Sequence, residues 1–236
     1  MTKPPLMTYA IGDVHGEAER LAKLHDIIFE RHEKRYKGAS MRLIYLGDYI
    51  DRGPDSAGVI DQIRERQASM DVEIIALAGN HESMMINALE SGPSQTYQHW
   101  LRNGGQETLK SYRDHGYDQV PAAHLDWARH LPTIFYDQAE RWVFVHAGVH
   151  PSEFPNDAKS VHLWTRSAEF FDTNCWQGTA LEGWTVVHGH TPTKNGRPDI
   201  SGDRSRRINI DTGAVFGGRL TCAVMQPGED VRFLYA

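Results

Sequence analysis

Cysteine is scarce in this 236-residue chain: Cys175 and Cys222 are the only two. They form no CxxC pair and no metal-ligand spacing, which excludes a thiolate metal site and a disulfide-dense scaffold. Reduced thiols in a cytoplasmic chain are the expectation, with a single disulfide as the alternative. Long hydrophobic runs are missing as well. No stretch of about 18 apolar residues occurs, so no membrane span is expected. The opening MTKPPLMTYAIGD lacks the apolar stretch and small-residue cleavage site of a signal peptide. Positive charge has no surplus: 25 Lys and Arg stand against 31 Asp and Glu, a net charge of −6. Nucleic acid and anionic membranes are therefore not expected as partners. The local run of Arg204, Arg206 and Arg207 reads as a solvated loop. Internal repeats and low-complexity segments are also absent.

Histidine, by contrast, is plentiful, at 13 residues. The length suits one domain over residues 1–236, and the hydrophobic content of 40% suits a globular protein. Short apolar, β-branched runs predict strands at Thr8–Ile11, Leu43–Leu46, Ile74–Leu77, Trp142–Val145, Thr185–Val187, Ile208–Ile210, Thr221–Met225 and Val231–Tyr235. Each is short enough to be buried on both faces. Between the early runs, Leu21, Leu24, Ile27 and Ile28 recur at helical spacing. Val59, Ile60 and Ile63 do the same behind two N-cap candidates, Asp55 and Ser56, and ESMMINALE is a third helix candidate. Strand and helix alternate through the first half, an α/β pattern with largely parallel pairing. From about Ile208 antiparallel pairing is expected. Residues 91–140 are polar and aromatic and read as a helical insertion that covers something, a lid. Its Tyr97, Trp100, Tyr112 and Trp127 suit either a groove or a core.

The polar residues fall in a pattern. After successive strands come GDVHG with Asp13 and His15, GDYIDRG with Asp48, Asp51 and Arg52, GNHE with Asn80 and His81, HAG with His146, and HGHT with His188 and His190. In an open α/β sheet ligands gather outside the carboxyl ends of the strands, so these ends would converge on one point. Oxygen and imidazole donors without thiolate suit Mn²⁺, Fe or Zn²⁺. They are more donors than one ion uses. Two divalent ions bridged by a carboxylate and a hydroxide would use them and form a phosphoryl-transfer site. Arg52 follows Asp48 closely enough to reach the same substrate, and arginine suits bidentate phosphate binding. GDxHG alone is weak; the set of motifs, each behind a strand, is the strong signal.

The motifs GDVHG, GDYIDRG, GNHE, HAG and HGHT, with the later DTGAVFGGRLT, resemble the phosphoprotein phosphatase family of the calcineurin-like metallophosphoesterases, in its bacterial and phage branch of serine/threonine phosphatases. The resemblance runs from residue 12 to residue 221. It implies an α/β fold of two mixed β-sheets in a sandwich flanked by helices, four layers in all. It implies that Asp13 and His15 hold a first metal, that Asp48 bridges, and that Asn80, His146 and His190 hold a second, with Mn²⁺ first and Fe or Zn²⁺ as alternatives. It assigns His81 as general acid, oriented by Asp51. Arg52 and Arg166, in LWTR, would bind the substrate phosphate with Asn80 beside them. His188 becomes a supporting or packing residue. Relatives often carry a further His where this chain has Pro192, which implies a more labile first metal.

The implied activity is direct hydrolysis of phosphoserine or phosphothreonine, with phosphotyrosine or a small phosphoester as further substrates, by attack of a hydroxide bridging the two metals. A dinucleoside polyphosphate hydrolase is the alternative. Close relatives of that type read ARG and GNHD, so Asp51 and Glu82 favour the phosphatase. A non-catalytic interaction module on the same fold is the weakest reading, because the ligand residues and the acid histidine are all present. Oligomeric state is open.

Overall fold

The computed structural model describes residues 6–236. Strands β1 (Leu6–Ile11), β2 (Ser40–Tyr45) and β3 (Glu73–Ala76) alternate with helices α1 (Ala18–Arg35) and α2 (Ser56–Ser69) and run parallel to one another. At the far edge β9 (Thr221–Met225) joins β1 antiparallel, and β10 (Arg232–Tyr235) joins β9 antiparallel. The order in this five-stranded sheet is β10-β9-β1-β2-β3. A second five-stranded sheet has the order β4-β5-β6-β8-β7. It is built from β4 (Ile134–Asp137), β5 (Trp142–Val145), β6 (Thr185–His188), β7 (Asp199–Ser201) and β8 (Arg206–Asn209). Its central strands β5, β6 and β8 are parallel, and both edge strands are antiparallel.

Alternation along the strands explains the layers. Ala10, Ile44, Leu46 and Leu77 from the first sheet meet Phe144, Val187 and Ile208 from the second in one buried cluster. Their neighbours Tyr9, Ile11, Leu43 and Tyr45 point the other way, onto Leu21, Leu24 and Ile28 of α1 and Val59, Ile60 and Ile63 of α2. Val143, Val145 and Val186 face outward from the second sheet onto Phe154, Phe170, Trp176 and Leu181. Both sheets are thus apolar on two faces, and each fully buried aliphatic side chain contributes about 1.5–3 kcal/mol. The expected α/β sandwich of two mixed sheets is the fold observed.

Several expectations need correction. β8 pairs parallel with β6, so antiparallel pairing does not hold throughout the C-terminal part. Residues 91–140 hold α4 (Gln95–Trp100), α5 (Gln106–Asp114) and α6 (Ala122–Arg129) after α3 (Asn80–Ser91), but they end in β4. Trp100 and Tyr112 are fully buried in the same cluster as the first sheet, with Tyr97 and Trp127 packed against it. These four aromatics form core, as aromatics at such spacing more often do. Arg207 is 5% exposed and its guanidinium lies 2.6 Å from Oδ2 of the exposed Asp199, so it is a buried, paired arginine on β8 and no solvated loop residue. Cys175 and Cys222 are free thiols. Among the described residues no helix is long and apolar enough to cross a membrane.

Candidate metal centre

The loops that follow β1, β2, β3, β5 and β6 meet at one edge of the sandwich. The chain turns sharply in them. Of six non-glycine residues with positive φ among those described, five lie here: His15, Asp48, Asp51, Arg52 and His190. Left-handed backbone is uncommon for non-glycine residues and clusters where function holds it. Gly79 is required by close approach: a Cβ there would collide with the Asp48 backbone N and carboxylate. Behind Gly79, α3 starts at Asn80 and directs its N-terminus at the loop, with the His81 N–H donating to Asp48 Oδ1 at 3.1 Å.

Asp48 sits at the centre, 2% exposed. Its Oδ2 lies 3.4 Å from His15 Nε2 and 3.4 Å from His146 Nε2, midway between two donor groups. On one side stand His15 and His81; on the other, His146 Nε2, His190 Nδ1 and Asn80 Oδ1 converge within 2.9–3.2 Å of one another. His15 and His146 each turn Nδ1 to a backbone carbonyl, of Ile50 at 2.8 Å and of Leu46 at 3.0 Å. That bond fixes the tautomer with Nδ1–H donating, and leaves a lone pair on each Nε2 facing Asp48. Burial lowers the pKa of His15 and of His190 to about 3 and lowers that of His146 too, so all three imidazoles stay neutral and able to ligate. Burial pushes the Asp48 carboxyl up, but His146, His81 and His15 outweigh it and hold Asp48 below the usual carboxylate range. Donors about 2.1 Å from a shared ion stand about 3 Å apart, which is the spacing seen here. The residues therefore fit two divalent cations that share Asp48.

Asp13 accepts the His190 backbone N–H on its carboxylate, at 3.0 Å to Oδ2. It belongs to neither tight donor group, and His81 stands in its place beside His15 and Asp48. Burial raises the Asp13 pKa well above the usual value, and the Asp211 and Asp48 carboxylates add to it. A cation among these three carboxylates would relieve that repulsion. Asp211 was not singled out from the sequence. It follows β8 as the other polar residues follow their strands, so the strand-end rule reaches it. Its backbone N–H donates to Asn209 Oδ1, its Oδ1 accepts from the Gly213 N–H, and burial raises it to about 6.

His81 is 1% exposed, and its Nδ1 lies 2.7 Å from Asp51 Oδ2. Burial alone would lower the imidazole, but Asp48 and Asp51 outweigh it and His81 is raised. Arg52 is exposed, with Nη1 2.7 Å from His15 Nε2. Arg166 is exposed as well, with Nε 3.2 Å from Thr191 Oγ1, next to His190. His188 is buried away from the donors, edge-on to Phe170 and Phe171, and takes the Arg207 guanidinium at 3.1 Å. Glu82 has a function its motif does not reveal. Its buried carboxylate accepts three backbone N–H groups, from Asp48 at 3.0 Å, Tyr49 at 2.8 Å and Gly79 at 2.9 Å. It ties the loop of Asp48 to the loop of Asn80.

Two exposed aromatics flank the centre. Trp164, at the end of α7 (Lys159–Trp164), lies edge-on to His190 with ring centroids 6.2 Å apart, and Phe216 lies 5.7 Å from the Arg52 guanidinium carbon. A cavity of about 430 Å³ opens beside Thr191, lined by Phe171, Lys194 and Asn195. A larger one, about 710 Å³, lies at the opposite ends of the strands. Its Arg42 is already paired with Glu73 and Asp137.

Comparison with known proteins follows the same lines. A family model described as Calcineurin-like phosphoesterase matches residues 6–218. The chain is 33% identical over 223 residues to serine/threonine-protein phosphatase 1 of Salmonella typhimurium, covering 92% of this chain and 91% of that one. It is 29% identical over 222 residues to the asymmetrical bis(5'-nucleosyl)-tetraphosphatase PrpE of Halalkalibacterium halodurans, covering 89% and 87%. The fold matches a cold-active protein-tyrosine phosphatase of a psychrophilic Shewanella with a TM-score of 0.57 at 16% identity, covering 99% and 82%.

Proposed function

Because the chain belongs to the calcineurin-like phosphoesterases, a family of metal-dependent hydrolases, we propose that it hydrolyses phosphate monoesters on serine and threonine side chains. The observation that carries this reading is the buried His81–Asp51 pair at 2.7 Å. A serine or threonine alkoxide is a poor leaving group and needs a proton as the P–O bond breaks. His81, raised by two carboxylates, is the residue charged to give it. The phosphate leaving group of a nucleoside polyphosphate is far less basic and gains less from such an acid.

The remaining residues take complementary parts. Asp13, His15 and Asp48 would hold one cation, and Asp48, Asn80, His146 and His190 the other, with Mn²⁺ the ion best suited to oxygen and imidazole donors and Fe or Zn²⁺ as alternatives. The chemistry such a pair supplies is Lewis acidity and a water-derived nucleophile at neutral pH. Arg52 and Arg166 bind the phosphoryl oxygens from opposite sides, and the Asn80 amide lies beside them. Asp51 keeps His81 Nε2 facing the leaving oxygen by holding Nδ1.

A second reading, hydrolysis of dinucleoside polyphosphates, draws on Phe216 and Trp164. Phe216 is 66% exposed and Trp164 43%, and an exposed ring beside a phosphate site can stack on a nucleobase. Phosphate release from a phosphoserine peptide and mononucleotide release from diadenosine tetraphosphate, assayed side by side with Mn²⁺ and with chelator, separate the two. Strong peptide turnover abolished by the chelator is the expected result. Nucleotide cleavage with little peptide turnover would replace the first reading by the second.

A further inference from the structure

The Asp51 carboxylate is held by more than His81. It is fully buried, and the donors around it come from helices outside the five strand-end motifs. Trp100, the last residue of α4, points its Nε1–H at both oxygens, 3.0 Å from each. Thr108, in the first turn of α5, places Oγ1 2.7 Å from Asp51 Oδ1. The same hydroxyl lies 2.9 Å from the Asp51 backbone N and 3.0 Å from Ser56 Oγ. A hydroxyl has one proton and two lone pairs, and a carboxylate accepts only. The Thr108 proton therefore goes to Asp51 Oδ1, while its lone pairs take the Asp51 N–H and the Ser56 O–H. Every capacity of the hydroxyl is used, which leaves one arrangement.

Both donors reach Asp51 because the chain bends between them. Gly104 has φ 110°, outside the helical range, and separates α4 from α5. Its carbonyl accepts the Arg52 N–H at 3.2 Å, so the bend is docked against the Asp51–Arg52 turn. Asp51 itself has φ 71°, in the left-handed region uncommon for non-glycine residues. Its backbone N–H donates to the hydroxyl oxygens of Thr108 and Ser56, which helps to hold it there.

We propose that Trp100 and Thr108 are positioning residues for proton donation: they fix the Asp51 carboxylate, and through it the orientation of the His81 imidazole toward the leaving oxygen. The inference rests on the reading of His81 as general acid. It makes the helical segment after α3, which the sequence suggests as a lid, a support of the reaction centre.

The test compares two leaving groups in the Mn²⁺-loaded protein. Trp100→Phe keeps a buried aromatic ring, though a smaller one, and removes the N–H; Thr108→Val keeps the shape and removes the O–H. Thr108→Ser restores the hydroxyl. A positioned general acid is worth about 10²- to 10⁴-fold, so loss of one support should lower kcat on a phosphoserine peptide roughly tenfold. On p-nitrophenyl phosphate, whose leaving group needs little protonation, the fall should be under about twofold. KM and bound metal should stay unchanged, and Thr108→Ser should recover most of the peptide kcat. His81→Asn is the reference. If it loses more on the peptide than on the aryl ester while Trp100→Phe and Thr108→Val lose equally on both or not at all, the inference fails alone. If His81→Asn loses equally on both, the general-acid reading fails and takes the inference with it. Should Trp100→Phe not fold, the Thr108 pair decides the question.

Discussion

At the scale of single residues, the centre depends on backbone N–H groups being held as much as on its donors. Glu82 is the clearest case. One buried carboxylate satisfies the N–H groups of Asp48, Tyr49 and Gly79, on two different loops. Burial, with Asp48 adding, raises its pKa to about 7, so it carries its charge at some cost. Glu82→Gln keeps the size but offers one acceptor oxygen where the carboxylate has two. At least one of the three N–H groups is then left unpaired, at about 1–3 kcal/mol. Urea unfolding of the metal-free protein should show a loss in that range, and Mn²⁺ affinity should fall with it because Asp48 and Asn80 lose their common anchor. Unchanged stability and unchanged affinity would show that the loops hold their places without Glu82.

At the scale of elements, α1 shows what the sequence pattern conveys and what it hides. The apolar spacing of Leu21, Leu24 and Ile28 marks the buried face correctly. It does not mark His25, which is fully buried on that face with Nε2 2.7 Å from the Tyr45 hydroxyl. A histidine next to Asp26 looks like surface until Tyr45 is known to lie opposite. Burial, with Arg66 adding, lowers its pKa from 6.5 to about 3. The sign follows: above pH 6.5 the group is neutral folded and unfolded, and as pH falls the unfolded chain binds a proton that the folded one refuses. Stability is therefore lost on acidification, by about 2 kcal/mol from this group between pH 7 and pH 5. His25→Phe should start less stable, because it strands the Tyr45 hydroxyl, yet lose about 2 kcal/mol less over that interval. Parallel unfolding curves for the two proteins would contradict the account. Strands were legible where both faces are apolar, as in β5 and β9. β4 and β7 escape a sequence reading because an edge strand of four or three residues, partly exposed, is too short to establish a period. Trp100 and Thr108 were illegible for a different reason. Their partner Asp51 is 49 and 57 residues away, and only the bend at Gly104 brings them together.

At the scale of the whole molecule, the two sheets meet at the centre. Asp13, Asp48 and Asn80 come from strand ends of the first sheet, His146, His190 and Asp211 from the second. Hydrogen bonds already cross the gap, from His146 Nδ1 to the Leu46 carbonyl and from the His190 N–H to Asp13. Shared donors from both sheets make the reaction depend on the sandwich as a unit. The most direct measurement is a titration of metal-free protein with Mn²⁺, in which bound metal and phosphate release from a phosphoserine peptide are read on the same samples. The account predicts two ions per chain, release that reaches its full rate only as the second binds, and loss of both in Asp48→Asn. Full release without metal, or at one ion per chain, would contradict it.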